Sequence, residues 1–149
     1  MSYRPARKGV AFKPTYPDVD PLDPNLDDTD FEIIFFEGIV DRCPEFTEAL
    51  SVLGNHYTCK GFIERGLNMD QSLVKLNPDN PIAHYNLACS YTLMEKLDDA
   101  FPSLEKALDL GYCDFDHMNQ DPDLALLRED PRYDDLVRQN TTHIEVQLD

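Results

Sequence analysis

From Phe31 onward the apolar residues recur at helical spacing. Phe31, Ile34, Phe35 and Ile39 form one stripe, and Phe36 and Val40 widen it. That pattern predicts an amphipathic helix with this face turned inward. Thr29-Asp30 offers its N-cap, and Pro44 ends it near Arg42 by disfavouring a helical Cys43. The same reading gives helices over residues 45–60, 62–76, 81–94 and 98–110. Leu50, Leu53 and Tyr57 face inward in the first of these, and Ile63, Leu67, Leu73, Val74 and Leu76 in the next. Leu87, Ala88 and Tyr91 do so in the helix after that. Gly61 and Gly111 serve as C-terminal caps, Asn77-Pro78 is a stop, and Pro81 sits in a first turn. Pro102 lies early in its helix, where few backbone donors are lost.

Two of these helix pairs are copies of one unit. A shift of 34 residues carries Ala49, Leu53, Tyr57, Thr58 and Leu76 onto Ala83, Leu87, Tyr91, Thr92 and Leu110. Gly54 becomes Ala88 and Gly66 becomes Ala100, so small residues stay small. One copy further back, Val40 and Pro44 match Val74 and Pro78. A period of this size predicts stacked helical hairpins, an all-α fold. After Gly111 the period fails. Asp121-Pro122 and Asp130-Pro131 each pair an N-cap with a first-turn proline. They predict short closing helices over 123–129, with Leu124 and Leu127 inward, and over 132–139, with Tyr133, Leu136 and Val137. Residues 140–149 read as a frayed tail. Residues 1–28 hold five of the eleven prolines without any periodic pattern and read as a disordered arm.

The two copies resemble tetratricopeptide repeats. In 47–80 the family pattern is met by Leu50, Leu53-Gly54, Tyr57, Gly61, Gly66, Leu73 and Pro78. In 81–114 it is met by Leu87-Ala88, Tyr91, Ala100, Leu104 and Ala107, with Tyr112 in place of the final proline. His84, Asp70 and Glu95 depart from the pattern; Glu95 stands where the turn between helices carries glycine. Residues 29–43 resemble the second helix of a copy lacking its first, and 115–139 resemble the capping helices that follow bacterial copies. The resemblance implies a short α-α superhelix of about two and a half hairpins. Gly54 and Ala88 would let paired helices approach closely, and Gly66 and Ala100 would let the second helix nest between its neighbours.

Charge narrows the choice of ligand. The net charge is −16, yet residues 1–17 hold Arg4, Arg7, Lys8 and Lys13 and no acid. The remainder carries 9 Lys+Arg against 29 Asp+Glu. Such a body repels phosphate backbones, so nucleic acid and anionic membrane are not the expected partners, and basic or apolar ones are. No apolar run approaches the roughly 20 residues that span a bilayer, and the basic start lacks the apolar core of a secretory signal. Cys43, Cys59, Cys89 and Cys113 contain no C-x-x-C pair. We read them as reduced thiols of a cytoplasmic protein, with no metal and no cofactor. Asp114, Asp116 and His117 cluster near a turn as helix-start charges. His56, His84, His117 and His143 have no nucleophile or orienting acid at a catalytic spacing, and no phosphate loop is present. We expect no enzyme.

Stacked hairpins usually hold a partner instead. The resemblance places the first helix of each hairpin on a concave surface. Its lining would be Glu48, Ser51, Asn55, Thr58 and Cys59 from one copy. The other would supply Ile82, Tyr85, Asn86, Cys89, Thr92 and Leu93. Two amides beside an apolar-aromatic patch suit an extended peptide or a helix. Asn55 and Asn86 stand where family members that clamp an acidic C-terminus place asparagines. The accompanying basic residues are here Ser51, Asp116 and Gln120, so that clamp is incomplete. The expected function is a non-catalytic adaptor. Two alternatives are an acidic holding chaperone for a secreted or unassembled subunit, and a homo-oligomer built through the 31–42 helix.

Overall fold

A computed structural model describes Tyr16 and residues 22–147, where helices joined by short turns make up the chain. The elements are α1 (Asp28–Arg42), α2 (Thr47–Cys59), α3 (Ile63–Leu76), α4 (Pro81–Leu93), α5 (Leu97–Asp109) and α6 (Phe115–Gln120). A short 3-10 turn (Pro122–Leu124), α7 (Ala125–Glu129) and α8 (Pro131–Gln147) follow. Among the described residues there is no strand. The expected all-α class of helical hairpins is what the chain adopts. Residues 1–15 and 17–21, most of the arm expected to be disordered, lie outside the described residues.

The 34-residue period is written in the backbone. α2 ends with Lys60 N–H donating to His56 O, Gly61 N–H to Thr58 O and Phe62 N–H to Tyr57 O. α4 ends in the same way: Met94 N–H donates to Ser90 O, Glu95 N–H to Thr92 O and Lys96 N–H to Tyr91 O. Both turns need a left-handed residue. Gly61 supplies it at φ 85°, and Glu95 is driven into the same region at φ 58°. An L-residue there costs roughly 1–2 kcal/mol, so the turn geometry outlives the loss of its glycine. Leu97–Asp109 begins 34 residues after Ile63, completing the correspondence.

Two compact units divide the chain, Met1–Ser72 and Leu73–Asp149, with the boundary inside α3. In the first, α1 packs on α2. Asp27, not Thr29-Asp30, is the N-cap of α1, and it forms a reciprocal capping box with Asp30. The inward face of α1 also differs from the expected one. Ile33 is fully buried and Glu37 is buried beside it, whereas Phe31 and Phe35 are 60% and 55% exposed. The face that meets α2 runs through Ile33, Glu37 and the half-buried Phe36 and Val40. Periodicity gave the helix but not its rotation, because the apolar residues of this helix span more than one face.

Gly54 and Gly66 bring α2 against α3. A Cβ at Gly66 would overlap the Thr58 hydroxyl and lie 3.3 Å from Gly54 O; one at Gly54 would lie 3.1 Å from Met69 Cβ. Gly66→Val should therefore destabilise the first unit by about 2 kcal/mol through overpacking. Urea unfolding of wild type and variant would measure it, and an unchanged midpoint would show the helices free to separate at no cost.

In the second unit α4 and α5 form the central hairpin, and α4 also meets the 3-10 turn and α7. Ala88, Ala100, Leu104, Ala107, Met118, Leu124 and Leu127 form a core with no measurable exposure. Leu124 and Leu127 fall inward as the sequence predicts. α6 was not expected as a helix of its own. Asp114 starts it by accepting from His117 N–H at 3.0 Å, the helix-start role anticipated for that acidic cluster. The expected tail is also corrected: α8 runs on to Gln147 rather than ending near Gln139. Thr141 and Thr142 return their hydroxyls to carbonyls of the preceding turn and so remain compatible with helix.

Candidate functional site

The expected groove residues of the second unit fall into two groups. Tyr85 (4% exposed), Cys89 and Thr92 (1% exposed) are buried, which corrects their placement on an open surface. The cause is the segment after Gly111. Lacking the repeat pattern, it does not continue the hairpins but folds back over α4, where the 3-10 turn and α7 pack on it. Tyr85 stacks on Tyr112 with ring centres 4.3 Å apart and planes 7° from parallel. Its hydroxyl donates to Asp121 Oδ2 at 2.7 Å, the same oxygen that lies 3.8 Å from Cys89 Sγ and 3.3 Å from His117 Nε2. Thr92 turns its hydroxyl to Ala88 O at 2.8 Å. Ile82 remains exposed, and Asn86 and Leu93 are half-buried.

Asp121 is the hub of that closure. Its Oδ1 accepts from Asp123 N–H at 3.0 Å, capping the 3-10 turn, while Oδ2 receives Tyr85. Arg128 holds the adjoining backbone, donating to Met118 O at 3.0 Å and Asp121 O at 2.6 Å. Burial, and then donation to Asp121, push the Tyr85 phenol far above its ordinary range. Burial, and then the nearby Asp121 charge, raise the Asp123 carboxyl.

On α2 the expected residues stay nearer to solvent. Glu48, Asn55 and Cys59 are exposed, and Ser51 and Thr58 are half-buried. These residues belong to the first unit, and Ile82, Asn86 and Leu93 to the second. None of the four cysteines forms a disulfide.

The first unit also holds a pocket that sequence reasoning missed. Tyr16 is 3% exposed, which overturns at this residue the expectation of a solvated arm. Its hydroxyl donates to Asp30 Oδ1 at 2.6 Å, and its backbone N–H donates to Glu37 Oε2 at 3.2 Å. Its ring meets Phe62 edge-on at 5.3 Å and lies 6.4 Å from Tyr57. Glu37 also accepts from the Tyr57 hydroxyl, and Arg65 Nη1 lies 3.7 Å from it. The Arg65 guanidinium covers the Tyr57 ring at 5.6 Å. Lys60 pairs with Asp27 and Asp30 at the rim. Tyr16 carried no signal in the sequence beyond its place between two prolines, because its burial depends wholly on residues 14 or more positions away.

Burial, and then donation to Asp30, push the Tyr16 phenol up to about 12. A phenol whose pKa is raised on folding stabilises the fold fully below the unfolded value of about 10. That contribution is lost as pH climbs from about 10 through 12. Tyr16→Phe should cost about 2 kcal/mol near pH 8, as loss of a hydrogen bond to a charged acceptor. The gap between wild type and variant should narrow above pH 10; urea melts of both proteins at several pH values would test this, and a constant gap would refute it.

Among the described residues no group of three His, Cys, Asp or Glu side chains gathers to hold a metal. No helix among them is long and apolar enough to cross a membrane. No family model matches the chain. It is similar to a chloroplastic protein of Arabidopsis thaliana, with 33% identity over 89 residues. That stretch is 58% of this chain and 27% of the relative, so the match spans about a quarter of the relative's length.

Proposed function

We propose that this chain is a tetratricopeptide-type adaptor that binds a protein partner and carries out no reaction. What carries the reading is the recurrence, 34 residues apart, of the same turn between paired helices around Gly61 and Glu95. Repeated hairpins of this kind present helix faces to partners. The contact surface we favour is the solvent-facing side of α2, with Glu48, Asn55 and Cys59 exposed and Ser51 and Thr58 at its edge. Exposed Ile82, with Asn86 and Leu93, gives α4 a smaller surface of its own. An acidic chain favours a basic or apolar segment over nucleic acid or anionic membrane. We keep the cytoplasm as the proposed location, with the cysteines as reduced thiols; the chloroplast belongs to the description of the relative.

Affinity capture from a cell extract with wild type and with Glu48→Lys/Asn55→Ala, compared by mass spectrometry, tests the α2 surface. The true partner should be depleted about tenfold on the variant, a loss of roughly 1.4 kcal/mol. Partners retained equally by both proteins would end this reading. Self-association is a second reading, supported by the exposed Phe31 and Phe35 on one side of α1. Sedimentation at two concentrations tests it, and a strict monomer at both rejects it.

A further inference from the structure

We propose that the pocket around Tyr16 is a recognition site for an unphosphorylated tyrosine on a basic segment, filled in cis by this chain's own Tyr16. This goes beyond the adaptor reading and uses none of its α2 or α4 surface residues. Three features of a bound peptide are read at once. Phe62 and Tyr57 receive the ring, Asp30 accepts the hydroxyl's hydrogen bond at 2.6 Å, and Glu37 accepts that of the backbone N–H at 3.2 Å. A backbone N–H held by a side-chain carboxylate is a contact that any segment with an unpaired backbone N–H can offer.

The pocket also selects. Phenylalanine would leave the Asp30 carboxylate without its phenol donor. A phosphotyrosine would set a dianion against Asp30 and Glu37, with Asp27 nearby, and be repelled. Lys60 lies beside Asp27 and Asp30 and Arg65 beside Glu37, in a chain whose net charge is −16. Basic flanks are therefore favoured, and residues 1–15 carry Arg4, Arg7, Lys8 and Lys13 without an acid. Attachment to the same chain presents Tyr16 at an effective concentration on the order of mM, so a partner's tyrosine must displace it.

Fluorescence anisotropy of a labelled peptide of residues 4–17, which carries Arg4, Arg7, Lys8, Lys13 and Tyr16 and no acid, against the full chain tests this. Tyr16→Ala should bind the peptide about tenfold tighter than wild type, because the cis competitor is gone. The same peptide carrying phosphotyrosine, or Tyr16→Ala, should not bind. Equal affinity of the two chains, or equal binding of the tyrosine and alanine peptides, overturns the proposal. Should Tyr16→Ala fail to fold by circular dichroism, Tyr16→Phe keeps the ring and removes only the Asp30 bond. It should still admit the peptide more tightly than wild type, and affinity equal to wild type overturns the proposal in this form also.

Discussion

Asp121→Ala should cost about 3 kcal/mol and uncover the buried face of α4. Two losses add to that figure. The Tyr85 hydroxyl, inside the core, would be left without its acceptor, at about 1–3 kcal/mol. The 3-10 turn would lose its cap at Asp123 N–H, worth about 1 kcal/mol. His117 contributes little, since its side chain is more than half exposed. Asp121→Asn keeps one acceptor oxygen, which can serve the Asp123 N–H or the Tyr85 hydroxyl but not both, and should cost about 1–2 kcal/mol, less than Asp121→Ala. The effect can be read chemically as well. Cys43, Cys59 and Cys113 are exposed and should react first with a thiol reagent, while Cys89 is shielded beside Asp121. Mass-resolved labelling should show Cys89 protected in wild type and reactive in Asp121→Ala. Protection unchanged in the variant would mean that Asp121 does not hold the closing segment down.

Glu37→Ala should be about as damaging to the first unit. Glu37 is the common acceptor for Tyr57 and for the Tyr16 backbone, and it sits beside Arg65. Its removal strands the Tyr57 hydroxyl and unties Tyr16, about 3 kcal/mol in total. Arg65 adds to this, because its Nη1, the atom that faces Glu37, is itself buried. Glu37→Gln retains an acceptor and should cost roughly 1 kcal/mol. A double-mutant cycle with Tyr57→Phe isolates the pair. Once the hydroxyl is gone, Glu37→Ala should lose much of its cost, giving a coupling of about 1–2 kcal/mol. Additive costs, measured by urea unfolding, would show that the two side chains do not depend on each other.

Both residues set the limits of reading a site from sequence. Asp121 was legible as an N-cap, because capping needs only the neighbouring backbone. That its second oxygen would meet Tyr85 was not, since the partner lies 36 residues back and no repeat pattern predicts the meeting. The α2 face fared better than the α4 face for the same reason. Glu48, Asn55 and Cys59 are exposed as expected, whereas the residues around Tyr85 lie under a segment that follows no period. Glu37 reads as a polar interruption within an apolar stripe. Its burial goes with donors from Tyr57 and Tyr16, 20 and 21 positions away, and with Arg65 beside it.

The order of letters alone settled α1 to α5, with their ends to within a few residues, and the 34-residue recurrence of paired helices. Caps, prolines, glycines and small residues act over one turn of backbone, so their effects travel with the local chain. Which side of α1 turned inward, the closure of residues 114–129 over α4, and the seating of Tyr16 were decided only in three dimensions. Burial is a property of what arrives from elsewhere in the chain, and a carboxylate enters a core only when distant donors meet it there.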